Sequence, residues 1–155
     1  MKIKVGLGSC GIASGGNKIL EAVKQELKLQ KLNIEVEPTG CIGLCFYEPL
    51  IDVVEEGKTY TYGNLTPDMA REIVQNHVKG GKPVKEYLIS TTEKPYAMLS
   101  SQVRIALKNC GRINPEDIRD YMAANGYDAL KKSILDMTPE QVIQEIKLAG
   151  LRGRG

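Results

Sequence analysis

Apolar and polar side chains alternate over residues 2–7, the period of a short half-buried strand. Five glycines, Gly6, Gly8, Gly11, Gly15 and Gly16, crowd the turn that follows. Ile19, Val23 and Leu27 then fall at i, i+4 and i+8, and predict a helix over 17–29. Residues 33–38 read as a second strand. Residues 50–54 and 58–62 read as a hairpin turning at Glu55-Glu56-Gly57. Thr66 followed by Pro67 starts a helix that Gly80-Gly81 ends.

This order is β-α-β followed by β-β-α. A parallel pair joined by a crossover helix, then an antiparallel hairpin and a packing helix, predicts an α/β, thioredoxin-like domain (β-α-β-β-β-α) over residues 1–88. Its expected core is a four-stranded sheet with one helix on each side. Residues 89–103 are polar, contain Pro95 and read as a linker. From 104 to 155 the strand pattern gives way to a small helical segment. Asn114-Pro115 caps a first helix that Asn125-Gly126 ends, a second spans about 127–135, and Thr138-Pro139 starts a third that stops at Gly150.

Composition narrows the function classes. The 155 residues are 42% hydrophobic and 26% charged, with a formal net charge of +2, as in a soluble globular chain. No Lys/Arg block suggests nucleic-acid binding. No apolar run reaches the length of a membrane span. The Met1-Lys2-Ile3-Lys4-Val5 start carries no signal-peptide pattern, so the expected location is cytoplasmic. In that setting the four cysteines are expected to serve metal or thiol chemistry rather than disulfides.

Cys41 and Cys45 form a C-x3-C loop among glycines, and Cys10 lies just after the first strand. In a thioredoxin-like sheet both places lie at the same end, so three thiols can converge there. Thiolates are the usual ligands of iron–sulfur clusters, and a 2Fe–2S cluster takes four. Two other readings stand beside this one. The thiols are reduced packing residues, or Cys10 at a helix start is a monothiol exchange site, which leaves Cys41 and Cys45 without a role. Cys110 reads as a small packed side chain before a helix cap; a ligand role would need the tail to fold back. His77, late in its helix, is expected at the surface, as are Glu48 and Asp52. Phe46, Tyr47, Tyr60 and Tyr62 are expected to pack.

Residues 8–15 (Gly-Ser-Cys-Gly-Ile-Ala-Ser-Gly) and 39–45 (Thr-Gly-Cys-Ile-Gly-Leu-Cys) resemble the thioredoxin-like 2Fe–2S ferredoxin domain. That domain precedes the flavin domain in NADH-oxidising subunits of NAD-linked hydrogenases and related complexes, and it also resembles the small cluster subunit of respiratory complex I. The resemblance implies a cluster held by Cys10, Cys41 and Cys45. It departs from the family's four-ligand form at one place: Val5 stands where a C-x4-C pair would have its first cysteine. Residues 125–130, 137–143 and 149–155 resemble the entry to the flavin domain, whose phosphate loop would begin at Gly153, Arg154 and Gly155. The implied function is an electron-transfer module of such a subunit, working with other subunits of an NADH dehydrogenase or hydrogenase complex. FMN and NAD are expected only in an intact parent, and this chain alone is expected not to oxidise NADH. The alternative is a cluster-free docking module that holds partner subunits.

Overall fold

The computed structural model describes residues 1–153. It forms a mixed five-stranded sheet from β1 (Lys2–Gly6), β2 (Glu35–Thr39), β3 (Ile51–Glu55), β4 (Lys58–Tyr62) and β5 (Leu88–Thr91), in the order β2-β1-β3-β4-β5. β1 and β2 run parallel, and every other pairing is antiparallel. The thioredoxin-like expectation therefore holds with one strand added. β5 lies in the stretch read as a linker, where Ser90 and Thr91 pair with Thr61 and Tyr60. Its four residues, Leu-Ile-Ser-Thr, give no alternation to detect.

The helices are α1 (Ser9–Ala13), α2 (Gly16–Leu29) and α3 (Pro67–Ile73), the last continuing as π-helical turns over Val74–Lys79. Strand alternation decides where they sit. Ile3, Val5, Ile51, Val53 and Tyr62 make one apolar sheet face, joined in a single core with Ile19, Ala22, Val23 and Leu27 of α2 and Ala70, Ile73, Val74 and Val78 of α3. Both long helices thus cover the same face, not one face each as expected. They also touch each other: Gln75 Nε2 donates to Glu26 Oε1 at 2.8 Å.

The opposite face cannot take an amphipathic helix. Across it Glu37, Lys4, Asp52 and Thr61 stand directly opposite one another in register on β2, β1, β3 and β4. All four are buried. Lys4 Nζ lies 3.6 Å from Glu37 Oε1 and donates to the carbonyls of Gly111 at 3.1 Å and Arg112 at 2.9 Å. Irregular backbone with free carbonyls covers this face because it can satisfy a buried ammonium where a helix side could not.

Asp52, expected in solvent, is therefore buried, and burial pushes its carboxyl above the ordinary 3.8. The unfolded chain releases this proton at lower pH than the folded one. The contribution is thus most favourable below the ordinary value and is lost as pH rises through the folded value. We expect Asp52→Asn to flatten the decline of melting temperature with rising pH and to raise the midpoint at pH 7 but not at pH 4. Parallel melting curves across that range would contradict this.

His77 is likewise not at the surface. It is fully buried, with Nδ1 2.7 Å from Tyr62 Oη and Nε2 3.2 Å from Glu55 Oε1. The helix dipole favours a cation near its end but does not decide which way the side chain points.

A short α4 (Ala97–Ser100) follows β5. The residues divide into two compact units, the first Met1–Glu116 and the second beginning at Asp117. The second contains α5 (Ile118–Ala123), α6 (Asp128–Leu135) and α7 (Pro139–Leu148). Asp117, not Asn114, caps α5, accepting from the Arg119 N–H at 2.9 Å. Thr138 and Gln141 form a reciprocal capping box on α7. None of these three helices buries a residue, and Ile118, Leu130, Ile134 and Ile146 are exposed.

Candidate metal centre

The site is built where β1 and β2 end side by side. Leu7 N–H donates to Thr39 O at 3.0 Å, which fixes the base of the loop that follows β2. Leu44, 1% exposed, anchors that loop inward. A single 3₁₀ turn, Cys45–Tyr47, then closes it, with Tyr47 N–H donating to Leu44 O at 2.9 Å. This folding brings Cys41 Sγ and Cys45 Sγ to 3.5 Å. Gly43 N–H donates to Cys41 Sγ at 3.3 Å, a contact that favours its thiolate. Burial outweighs it and pushes the Cys41 thiol up.

Cys10 lies in α1, a short helix separate from the crossover helix α2. α1 presses on the end of β1. Gly11 and Gly16 both face the Gly6 carbonyl, and a β-carbon at Gly16 would stand 2.6 Å from that oxygen. On its other side α1's entry meets the cysteine loop, since a β-carbon at Gly8 would lie 3.2 Å from Cys41 Cβ. Cys10 and Cys45 are exposed and Cys41 partly so.

Val5 is fully buried, paired with Pro38 and Ile51 on its two sides. It belongs to the apolar core.

Glu48, expected in solvent, is buried beneath this region. Its Oε2 accepts from Leu50 N–H at 2.9 Å, and its carboxylate packs over Gly6 and Gly11. Desolvation raises its pKa, and its charge in turn opposes ionisation of Cys41. The sequence signal that was available is the pair of glycines at 6 and 11, which leave the space this carboxylate fills.

The stretch from Arg104 to Pro115 folds back over this end of the sheet. Arg104 Nη2 donates to Ile42 O at 3.2 Å, within the cysteine loop. Gly111, at φ +79°, lies so near Ile42 Cγ2 that a β-carbon there would overlap it. The fold-back that a ligand role for Cys110 would need is thus present.

Among the described residues no three Cys, His, Asp or Glu side chains stand close enough together to hold one metal ion. Two thiols, Cys41 and Cys45, stand close enough to share one metal atom. Two thiolates on one tetrahedral metal at about 2.3 Å are separated by about 3.7 Å, and Cys41 and Cys45 stand at 3.5 Å. They stand near the separation of two thiolates on one iron. Of the expected flavin-phosphate residues, Gly153 is exposed, and Arg154 and Gly155 lie outside the described residues. No described helix is long and apolar enough to cross a membrane.

Comparison with known proteins bears on this site. The family model of the thioredoxin-like [2Fe-2S] ferredoxin matches residues 1–78. The chain is 52% identical over 66 residues to the HndC subunit of the NADP-reducing hydrogenase of Solidesulfovibrio fructosivorans, covering 43% of this chain and 12% of that protein. It is 50% identical over 38 residues to a subunit of the NADH-quinone oxidoreductase of Buchnera aphidicola subsp. Acyrthosiphon pisum, covering 24% of this chain and 9% of that protein. Among solved structures, a thioredoxin-like [2Fe-2S] ferredoxin from Aquifex aeolicus superposes with a TM-score of 0.53 at 25% identity, over 61% of this chain and 94% of that one. The chain thus spans about an eighth or less of the length of these two curated subunits.

Proposed function

The chain belongs to the thioredoxin-like [2Fe-2S] ferredoxin family, and from that premise we propose that its first unit is an electron-transfer module of an NADH dehydrogenase or hydrogenase flavoprotein subunit. The single observation that carries this reading is the Cys41–Cys45 pair at 3.5 Å, the spacing of two thiolates on one iron. When bound, a 2Fe–2S cluster supplies a site that accepts and releases one electron. The chain's residues would hold it at the surface: Cys41 and Cys45 from the loop, and Cys10 from α1. Exposed Cys10, Cys45 and Phe46 put this end of the sheet within reach of a donor or acceptor. The Gly43 N–H aimed at Cys41 Sγ would stabilise charge on that ligand.

Hydride chemistry on FMN and NAD belongs to an intact parent, with Gly153, Arg154 and Gly155 opening its phosphate loop. The remaining subunits of such a complex are the partners, and the cytoplasm is the compartment. A second reading, a cluster-free docking module, draws on one observation: Val5 is locked in the core where the four-ligand family form has a cysteine. Iron and acid-labile sulfide measured on anaerobically purified chain separate the two. The proposal expects about two of each per chain with visible absorption. A colourless, iron-free protein would refute it in favour of docking.

A further inference from the structure

Cys10, Cys41 and Cys45 leave a 2Fe–2S cluster one thiolate short of four. Position 5 cannot supply it, because Val5 is fully buried among apolar neighbours. The chain has one more thiol, Cys110, and it is free. Nothing in its local sequence points to a ligand; its placement does.

Three observations put the Cys110 turn against the cysteine loop. Arg104 reaches the Ile42 carbonyl. The Gly111 backbone rests on the Ile42 side chain at φ +79°, a conformation that favours glycine. Cys110 also lines a cleft of about 150 Å³ together with Gly40, the residue before Cys41, and with Asn109, Ile113 and Pro115. The Lys4 ammonium, bonded to the carbonyls of Gly111 and Arg112, holds the turn from beneath. Cys110 is half-buried, as a ligand between a surface loop and its cover would be.

Oxygen donors compete poorly for the place. Ser9 and Ser14 are exposed neutral hydroxyls. The Glu48 carboxylate is engaged by the Leu50 N–H and wedged on two glycines. Iron–sulfur sites favour soft thiolate ligands over these.

We infer that Cys110 is the fourth ligand, so that the turn 105–112 is part of the site and not a tether leading away from it. Cys110 would then join Cys10, Cys41 and Cys45 in holding the cluster. The inference rests on the cluster-binding reading above.

The test uses the full chain, purified anaerobically, as wild type, Cys110→Ala and Cys110→Ser. Iron and sulfide content, the EPR spectrum after dithionite reduction, and circular dichroism melting are measured on each. Cys110→Ala is expected to lose at least about tenfold in cluster occupancy, since even changes behind a ligand cost tenfold or more. Cys110→Ser, which keeps an oxygen donor, is expected to retain a reduced amount with shifted g values. In wild type, Cys110 should resist alkylation by iodoacetamide until the iron is chelated away. This protection does not depend on any variant folding. A Cys110→Ala protein with wild-type iron and an unchanged EPR spectrum, or a Cys110 that alkylates freely in iron-loaded wild type, overturns the inference and leaves the proposed function standing. A wild type without iron overturns both.

Discussion

Replacing Cys41 or Cys45 with alanine is expected to strip the visible absorption and the iron from the protein while leaving its fold intact. The two thiols form the one pair in the site whose separation, 3.5 Å, already matches that of two ligands on one tetrahedral iron. Removing either leaves that iron a single thiolate from the loop. Disturbing groups behind a metal ligand commonly costs tenfold to a hundredfold in affinity, so losing the ligand itself should lower occupancy by at least about tenfold. Stability should hardly respond. Cys45 is exposed, Cys41 half-buried, and the loop is held by Leu44 and the 3₁₀ turn rather than by sulfur. A change within about 1 kcal/mol follows. Iron analysis alongside thermal melting checks both halves. Wild-type iron content in either alanine variant would show that the pair binds no cluster.

Gly11→Ala should have the largest effect on stability. A β-carbon there would overlap the Gly6 carbonyl oxygen and come within 2.8 Å of its carbonyl carbon and 3.1 Å of Glu48 Oε2. β1 cannot yield, because it is hydrogen-bonded between β2 and β3, with Gly6 N–H on Leu50 O at 3.0 Å. The strain must lift α1 away from the sheet. Overpacking of this kind costs up to about 3 kcal/mol, or roughly 12–24 °C in melting temperature for a domain of this size. Because α1 carries Cys10, iron content should fall as well. Gly40→Ala is the matched control: nothing lies within 4 Å of its added carbon, and it should stay within about 0.5 kcal/mol of wild type. Equal melting temperatures for the two variants would mean that the close approach of α1 to β1 is not the constraint.

Much of the fold could be read from periodicity. Ile19, Val23 and Leu27 mark α2, and the Glu55-Glu56-Gly57 turn between two alternating runs marks β3 and β4. What escaped has a common cause. β5 is only four residues, Leu-Ile-Ser-Thr, with no alternation of their own. His77, Glu48 and Asp52 are buried by neighbours distant in sequence, which no local window contains. The shared face for α2 and α3 was legible in principle: Lys4, Glu37, Asp52 and Thr61 occupy the alternate positions of four strands, but only their registration shows that they form one row. At the site, the glycine-flanked C-x3-C loop announced itself. The approach of Cys110 did not, because it depends on how the chain after β5 returns across the sheet. Capping in the second unit shows the same limit on a smaller scale: Asn114 was a sound cap by type, yet its side chain accepts from Glu116 N–H at 3.0 Å while Asp117 starts the helix.

β2 also governs how other molecules can approach. It is an outermost strand, and an unprotected strand of that kind invites pairing with a neighbouring chain. Here the five residues are Glu-Val-Glu-Pro-Thr. Pro38 has no N–H to offer, and Glu35 and Glu37 bring two carboxylates to a short run. Lys2 and Lys4 hold Glu37 toward β1. The strand is thus poorly suited to extension, which guards the isolated chain against sheet-to-sheet aggregation. Any protein that exchanges electrons with it is steered away from adding a strand at β2 and toward the cysteine end of the sheet.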